Sequence, residues 1–457
     1  MNPECVNAFR EQIERRLAEP GMMDGPRYAG FLAAQERLGL VHGSRALCRH
    51  LRPYVLTYDA YRCIGRAAEL VLAALERVAR EALHSDELAD FLGLSHAERA
   101  LAAIEPGYPE LVCVGRLDML SVEEDFFFIE LNADSPAGLA DQLLVNRTLL
   151  ELPHLQPFRA RPNVTTPEPH AALLNALRQV YSAWSGGAIP GTIAIVDWAA
   201  ADSHGEFKVL AEWFREHGHT MIFADPEELE YRSGRLWAKG AAVDLVYRRV
   251  IVDELIRRSG LSHPLIRAYE ERAVCVANSF RTKAVNKKAA FAVLSDPRYG
   301  ALFSAEQREV LAKHVPWTRR VEAGRTRWQG RDVDMLDLLA RERQNLVLKP
   351  NDEYGGKGVL LGWQTPEQVW NDAAAKAVDR SFIVQERKPV KTLAMPTYRD
   401  GIVSEGVYFD VCPFLFAGRM EGAMVRLSSA ALSNVSAGGG VSGLLLIDAT
   451  SLEALHV

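Results

Sequence analysis

The stretch Leu348-Lys349-Pro350-Asn351-Asp352-Glu353-Tyr354-Gly355-Gly356-Lys357-Gly358-Val359 is a glycine-rich loop between two predicted strands. Such a loop can turn successive backbone N–H groups onto phosphate oxygens, and a lysine beside it adds positive charge for the same anion. Its spacing and ending exclude a Walker A loop, and a Rossmann fingerprint would have to open a helix. The sequence therefore predicts a triphosphate site, with a tight hairpin that uses glycine for positive φ as the alternative.

A second glycine cluster lies at Ser433-Asn434-Val435-Ser436-Ala437-Gly438-Gly439-Gly440. Consecutive glycines cost backbone entropy and pack against nothing, which favours a place where a ligand approaches the backbone. Arg426 and Asn434 nearby suit contacts with an anion and a metal. A surface loop without a ligand is the alternative. Both glycine-rich segments are candidates for lids.

Acidic and amide side chains mark a third segment far upstream. It contains Gly115-Arg116-Leu117-Asp118 and, later, Ile129-Glu130-Leu131-Asn132. On a strand, Glu130 and Asn132 point to the same face, because side chains alternate with a period of two. With Asp118 on the facing strand of a predicted hairpin, these oxygen donors form a candidate magnesium site. Solvated acidic residues at a strand end are the alternative.

The hydrophobic pattern divides the chain into regions. Residues 53–84 carry apolar side chains every three or four positions, so the first hundred residues are predicted to be helical. Two β-type runs at 111–114 and 126–131 predict a hairpin. Five prolines between positions 153 and 169 mark a linker.

An α/β pattern follows the linker. The predicted elements are a helix at 169–184, a strand at 192–196, a helix that ends at Gly218, and strands at 220–223 and 243–247. The β-α-β order predicts a small parallel sheet with right-handed crossovers. Residues 265–339 are predicted to be helical, and strand pairs dominate from 346 onward.

Composition excludes several classes of protein. The 457 residues carry a formal charge of −6, so nothing suggests a surface built to bind nucleic acid as the main ligand. The apolar runs are of strand length, which predicts no membrane span. The N-terminus shows no secretory signal, so we expect a cytoplasmic protein. Six scattered cysteines without a C-x-x-C pair fit reduced thiols rather than zinc ligands or disulfides.

Taken together, the motifs resemble those of the circularly permuted ATP-grasp ligases. Within that group the chain is similar to the synthetase part of glutathionylspermidine synthetase and, more distantly, to eukaryotic glutathione synthetase. In the common ATP-grasp order the Glu-x-Asn metal strand follows the lysine and glycine loop, whereas Glu130-x-Asn132 precedes Lys349 by over two hundred residues. The resemblance covers roughly residues 110–450.

The resemblance implies an α/β (α+β) fold of the ATP-grasp type in circularly permuted order. A Rossmann-like α/β substrate domain would be inserted in it, and a helical region would precede it. The implied boundaries are 1–110 for the helical region, 111–165 for the metal-binding hairpin and linker, 166–264 for the substrate domain, and 265–457 for the ATP-grasp domain with its glycine-rich lid.

The resemblance also implies a role for each matching residue. Magnesium would be held by Asp118, Glu130, Asn132 and Glu353. The residues implied to bind ATP are Lys349, Lys287 or Lys288, Gly355, Gly356, Gln385 and Glu386. Substrate would be bound by Ser135, Arg249 and Arg426, while Arg116 and Arg426 would stabilise charge during catalysis.

The implied activity is that of an ATP- and Mg²⁺-dependent carboxylate–amine ligase, which forms an amide or peptide bond through an acyl phosphate and releases ADP. The substrates would be a small-molecule or peptide carboxylate and an amine. An ATP-dependent phosphotransferase and an inactive nucleotide-binding regulatory protein are the alternatives. Neither nucleic acid nor membrane is expected as a partner, and a homodimer is left open.

Overall fold

A computed structural model of the chain describes residues 3–122, 125–200, 204–429 and 439–448. Most of the second glycine cluster, including Asn434, falls in 430–438 and therefore lies outside the described residues. No helix in the described part of the chain is long and apolar enough to cross a membrane.

The N-terminal region is mainly helical, as predicted. Its elements are α1 (Pro3–Leu17), α2 (Gly25–Arg37), β1 (Val41–His42), β2 (Arg45–Ala46), β3 (Tyr54–Thr57), α3 (Tyr58–Ala82), α4 (Asp86–Leu92) and α5 (His96–Ala103). Helix α3 buries its apolar face and is capped by the hydroxyl of Thr57, which accepts from the amide of Ala60. It begins five residues later than the periodicity suggested, because Tyr54–Thr57 pairs with residues 444–447 as a strand.

The predicted hairpin exists, with its first strand displaced. The elements that follow are β4 (Val114–Val122), β5 (Asp125–Asn132), α6 (Leu139–Leu150), α7 (Gln156–Arg159) and β6 (Val164–Thr165). The run at 111–114 was predicted as the first strand, but the amide of Val112 donates to Glu76 instead of a strand partner. The strand begins at Val114 and so carries Arg116 and Asp118 within it.

The α/β region contains the predicted parallel sheet. Its elements are α8 (Pro169–Ser185), β7 (Thr192–Val196), α9 (His204–Glu216), β8 (Thr220–Ala224), β9 (Leu229–Arg232), β10 (Arg235–Ala238), β11 (Ala241–Ala242), β12 (Leu245–Arg248), α10 (Val252–Ser259), α11 (Pro264–Glu270) and β13 (Cys275–Ala277). Strands β13, β12, β7 and β8 lie side by side and parallel in that order. The sheet therefore extends past the boundary expected at 264.

The next region was predicted to be helical up to 339, but short strands interrupt it. Its elements are α12 (Lys283–Asn286), α13 (Ala289–Ser295), α14 (Ala305–His314), β14 (Thr318–Arg320), β15 (Arg325–Trp328), β16 (Arg331–Asp334), α15 (Met335–Arg341), β17 (Leu346–Pro350), β18 (Leu360–Leu361), α16 (Glu367–Ala377) and β19 (Phe382–Glu386). Strands β14, β19, β17 and β18 form an antiparallel sheet.

The last strands join the hairpin from the first third of the chain. They are β20 (Leu393–Tyr398), β21 (Ile402–Phe416), β22 (Arg419–Ser428), β23 (Gly440–Ser442) and β24 (Leu444–Ile447). The resulting sheet has the order β23-β22-β21-β4-β5, and β20 pairs with β21 outside that order. The register places Phe414 opposite Arg116, so residues far apart in the sequence become neighbours.

Candidate active site

A cavity, here called cavity 1, lies between the β14-β19-β17-β18 sheet and the sheet that contains β4, β5, β21 and β22. It has about 1110 Å³ of open space, and side chains from both sheets line it. All the predicted site residues except Lys287, Ser135 and Arg249 line this cavity. The structure thus brings the glycine-rich loop and the distant acidic strand to one place.

Strand pairing sets the positions of the acidic side chains. In the hairpin, Arg116 lies opposite Asn132 and Asp118 lies opposite Glu130. The two residues on each strand face the cavity together, because residues two apart on a strand share a face. The prediction that Asp118 lies on the strand facing Glu130 and Asn132 is therefore confirmed, and the register adds Arg116 to the same face.

Asp118 is the centre of a buried cluster of charged residues. Its Oδ1 accepts from Nε of Arg116 at 3.0 Å and from the amide of Asn132 at 3.1 Å. Its Oδ2 accepts from Nη2 of Arg426 at 2.8 Å. Burial acts to raise the pKa of Asp118, but the two arginines outweigh it and hold that pKa below its ordinary value. The carboxylate that the sequence placed among the magnesium ligands thus binds two arginines.

The sequence did not single out Asp410, which lines the same cavity. It lies on β21 opposite Arg426 and accepts two hydrogen bonds from that guanidinium. Burial raises the pKa of Asp410 to about 6, although Arg426 acts in the other direction. A lone acid in the apolar run Val407-Tyr408-Phe409-Asp410-Val411 was the signal that could have identified it.

Lys349 lies at the end of β17 and is buried in the cavity wall. Its ammonium donates to Oε1 of Gln385 at 2.8 Å. The amide nitrogen of Gln385 in turn donates to the hydroxyl of Thr318, which fixes the side-chain orientation. Burial lowers the pKa of Lys349 to about 8, so this cation is poorly solvated and suited to an anionic ligand.

The two candidate lysines of the Asn286-Lys287-Lys288 motif have different surroundings. Lys288 lines cavity 1, where its ammonium donates to the carbonyl of Glu353 and lies 3.6 Å from Glu130. Lys287 is buried away from the cavity and pairs with Glu98 and Asp352 at 3.0 and 2.6 Å. The structure therefore presents Lys288, and not Lys287, to a ligand.

The glycine-rich loop covers one side of the cavity. Gly355 and Gly356 line it with φ values of +66° and +73°, a backbone conformation that side chains disfavour. The loop also contacts α10, since the hydroxyl of Tyr354 donates to Glu254 at 3.2 Å. Both the phosphate loop and the tight hairpin considered for this segment use glycine in this way.

The remaining oxygen donors suit a magnesium ion that arrives with phosphates. No group of three His, Cys, Asp or Glu side chains forms a ready-made metal site among the described residues. Mg²⁺ in phosphate-handling sites commonly takes one or two carboxylates and completes its shell with phosphates and water. Glu130, Asn132 and Glu353 line cavity 1 and supply such hard oxygens, so these residues fit the ion.

Part of the wall of cavity 1 is apolar, which suits a nucleobase. Val347, Leu361, Trp363 and Val390 line it beside Glu386. The guanidinium of Arg387 lies over the Trp363 ring, 4.1 Å from its centroid, and holds that ring in place.

A second cavity, cavity 2, adjoins the first and has about 1290 Å³ of open space. Residues Glu130, Asn132, Lys288 and Glu353 line both cavities. The wall of cavity 2 includes the carboxyl end of the parallel sheet, which is where α/β sheets commonly bind ligands.

Arg249 is one of the buried cations that line cavity 2, with Lys283 and Lys288. Its Nη1 donates to Glu206 and its Nε to the hydroxyl of Ser135, both at 3.3 Å. Its Nη2 is buried without a hydrogen-bond partner among the described residues. A buried unpaired donor is costly, and the Arg249 side chain lines cavity 2. Two of the three predicted substrate residues, Ser135 and Arg249, thus lie together in cavity 2, whereas Arg426 lines cavity 1.

Comparisons with known proteins support the fold. No established family profile matches the chain. The chain superposes on a glutathione synthetase-like effector from Globodera pallida with a TM-score of 0.61 and 12% identity, covering 94% of this chain and 99% of the other. The two chains share a fold.

Two further similarities are weaker. A Methylobacillus flagellatus protein, provisionally named gamma-glutamylcysteine synthetase, superposes with a TM-score of 0.43 and 10% identity over 83% of this chain and 85% of the other. A Frankia casuarinae protein, provisionally named glutamate–cysteine ligase 2-2, is 28% identical over 222 residues. That match covers 47% of this chain and 23% of the relative, so the chain spans less than a quarter of it.

Proposed function

We propose that the chain is an ATP- and Mg²⁺-dependent carboxylate–amine ligase that releases ADP and forms an amide or peptide bond through an acyl phosphate. The observation that carries this proposal is the common wall of the two cavities, formed by Glu130, Asn132, Lys288 and Glu353. A phosphate-binding end and a carboxylate-binding pocket that meet at one wall can bring a γ-phosphate and a carboxylate together.

The comparisons agree with this proposal. The fold matches a protein described as glutathione synthetase-like over nearly its whole length. The partial sequence match is to a protein provisionally named as a ligase that joins glutamate to cysteine. The order of the motifs supports a circularly permuted ATP-grasp arrangement, with the substrate domain extended to include the strand Cys275–Ala277.

In the proposed mechanism, cavity 1 binds ATP with its base against the apolar wall residues and Glu386. Lys349 and Lys288 neutralise phosphate charge, and the amides of Gly355 and Gly356 donate to phosphate oxygens. Glu130, Asn132 and Glu353 would hold magnesium, which neutralises charge on the phosphates. Positioning and charge neutralisation supply most of the rate acceleration in phosphoryl transfer.

Cavity 2 binds the carboxylate substrate. Arg249 and Ser135 hold an anionic group of that substrate, which leaves a second carboxylate free to reach the common wall. Attack of that carboxylate on the γ-phosphorus breaks the bond to ADP and forms the acyl phosphate. Attack of the amine then expels phosphate, and Arg116 and Arg426 stabilise the oxyanion that develops.

One assay tests the proposal. The protein is incubated with ATP, Mg²⁺ and pooled amino acids, polyamines and small peptides, and ADP, phosphate and new amide masses are followed. Amide formation with equal amounts of ADP and phosphate supports the ligase. A phosphorylated product indicates a phosphotransferase, and ATP binding without turnover indicates a regulatory protein; either result refutes the proposal.

The same assay with two variants tests the site. Glu130→Gln removes a proposed magnesium ligand at nearly constant shape, so Mg²⁺-dependent turnover should be lost while the fold persists. Glu367→Gln, at an exposed position on α16, is the matched control and should leave turnover unchanged. Full activity of Glu130→Gln would refute the assignment.

A further inference from the structure

The long strand β21 places a carboxylate where an apolar side chain would be expected. Asp410 is 2% exposed, and every residue from 410 to 416 on that strand is buried. A buried carboxylate is costly unless it is paired and hydrogen-bonded. Its partner is Arg426, directly opposite on β22.

The pairing fixes one edge of the Arg426 guanidinium. Nε donates to Oδ1 of Asp410 at 3.0 Å, and Nη2 donates to Oδ2 at 2.7 Å. Two parallel hydrogen bonds of this kind fix the plane of a guanidinium as well as its position. A single contact, such as the one from Nη2 to Asp118 at 2.8 Å, would leave the plane free to rotate.

The two hydrogen bonds to Asp410 leave one terminal nitrogen of Arg426 for a ligand. Nη1 of Arg426 has no hydrogen-bond partner among the described residues, and the residue lines cavity 1. Arg116 is held in a similar way: Nε donates to Asp118 and Nη1 to the carbonyl of Ala137, while Nη2 has no partner in the described part of the chain. Two oriented guanidinium groups thus line one cavity, each with one terminal nitrogen left.

We propose that Asp410 is a positioning residue for Arg426, which it orients so that Nη1 donates to the developing negative charge of the reacting carbonyl group in cavity 1. This inference rests on the proposed ligase function. Asp410 touches no reacting atom; it acts through the plane of Arg426. Preorganised donors of this kind lower the barrier because they need not reorient during the reaction.

A double-mutant cycle in the full-length chain tests this role. The variants are Asp410→Asn, Arg426→Gln and the double variant, with kcat, KM for the carboxylate and Kd for ATP as readouts. Asp410→Asn should lower kcat roughly 100-fold, the size of effect that a misplacement of about 1 Å produces. The Kd for ATP should change less than about twofold, because Asp410 contacts no proposed phosphate ligand.

The decisive comparison is with the Arg426→Gln background. If Asp410 acts through Arg426, the double variant loses no more activity than Arg426→Gln alone. Losses that multiply in the double variant, or wild-type kcat in Asp410→Asn, would overturn the inference. An inactive wild-type chain would overturn the proposed function, whereas an active wild-type chain with either of those results would overturn this inference alone, so the two failures are distinguishable.

Two additional variants separate positioning from folding. Asp296→Asn removes the charge of another buried aspartate, which pairs with the buried Arg319 at 3.6 Å and the exposed Arg298 at 2.7 Å and lines neither cavity; it should keep wild-type kcat. Asp410→Glu keeps the charge but moves it by one methylene, so it should fold and still lose kcat. If Asp410→Asn does not fold, wild-type kcat in Asp410→Glu would overturn the inference.

Discussion

Lys349 donates its ammonium hydrogen bond to Oε1 of Gln385, a neutral partner 2.8 Å away. Because burial acts on a cation with a neutral partner, the pKa of Lys349 falls to about 8. A bound triphosphate favours the protonated form. ATP binding should therefore weaken as the pH rises through 8, by up to about tenfold per pH unit.

Calorimetry or fluorescence titration between pH 7 and 10 would measure this dependence. Lys349→Met should bind ATP weakly at pH 7 and lose the added pH dependence, whereas the exposed control Lys376→Met should behave as the wild type. Equal pH profiles for wild type and Lys349→Met would contradict the assignment of Lys349 to the phosphates.

Replacement of the two adjacent lysines should have opposite consequences. Lys287→Met leaves the buried Glu98 with only a more distant lysine as its partner. The free energy of unfolding should therefore fall by about 3 kcal/mol, while the ATP affinity of the folded protein stays unchanged. Lys288→Met should raise the Kd for ATP at least about tenfold, because a charge-assisted hydrogen bond is lost. Denaturant unfolding and ATP titration distinguish them, and the reverse pattern would refute the choice of Lys288.

Arg249 should determine carboxylate affinity. Arg249→Lys keeps the charge beside Glu206 but loses the fork geometry, so KM for the carboxylate should rise roughly 10- to 100-fold with ATP affinity unchanged. The exposed Arg232→Lys is the matched control. A rise in the Kd for ATP instead of the carboxylate KM would show that cavity 2 does not bind the carboxylate.

Gly358 should be required for the shape of the glycine-rich loop. It has φ of +73°, and a Cβ there would lie 2.8 Å from the Pro350 ring. Gly358→Ala should therefore shift the loop and reduce turnover. Gly240→Ala has a similar φ of +80° but open space around it, so it carries the backbone cost of about 1–2 kcal/mol without the clash. Steady-state kinetics should show a loss for the first variant alone.

Sequence patterns predicted the structural features that are set by residues close together in the chain. The period of two placed Glu130 and Asn132 on one face, and the β-α-β pattern predicted the parallel sheet. Strands as short as Cys275–Ala277 and Thr318–Arg320 show no detectable period, which is why the region up to 339 was interpreted as helical. Lys287 and Lys288 lie in the short connection between α12 and α13, where the backbone direction changes and the two side chains point to different places. A hydrophobic pattern does not show a change of direction over so few residues.

Contacts between distant segments were harder to predict. Arg426 meets Asp118 across 308 positions because β21 lies between β22 and β4. The motif order suggested that these segments come together, but the strand register decides which atoms meet. Asp410 was missed for this reason: its partner is set by the β21–β22 register and not by a motif.

The most direct test of the proposed ligase uses a carboxylate substrate labelled with ¹⁸O, taken from the pooled assay once an amide product is found. An acyl phosphate transfers one carboxylate oxygen to phosphorus, and amine attack then releases it. The account predicts one ¹⁸O atom in each phosphate released, measured by mass spectrometry. Amide formation with unlabelled phosphate, or with the label in AMP, would contradict it.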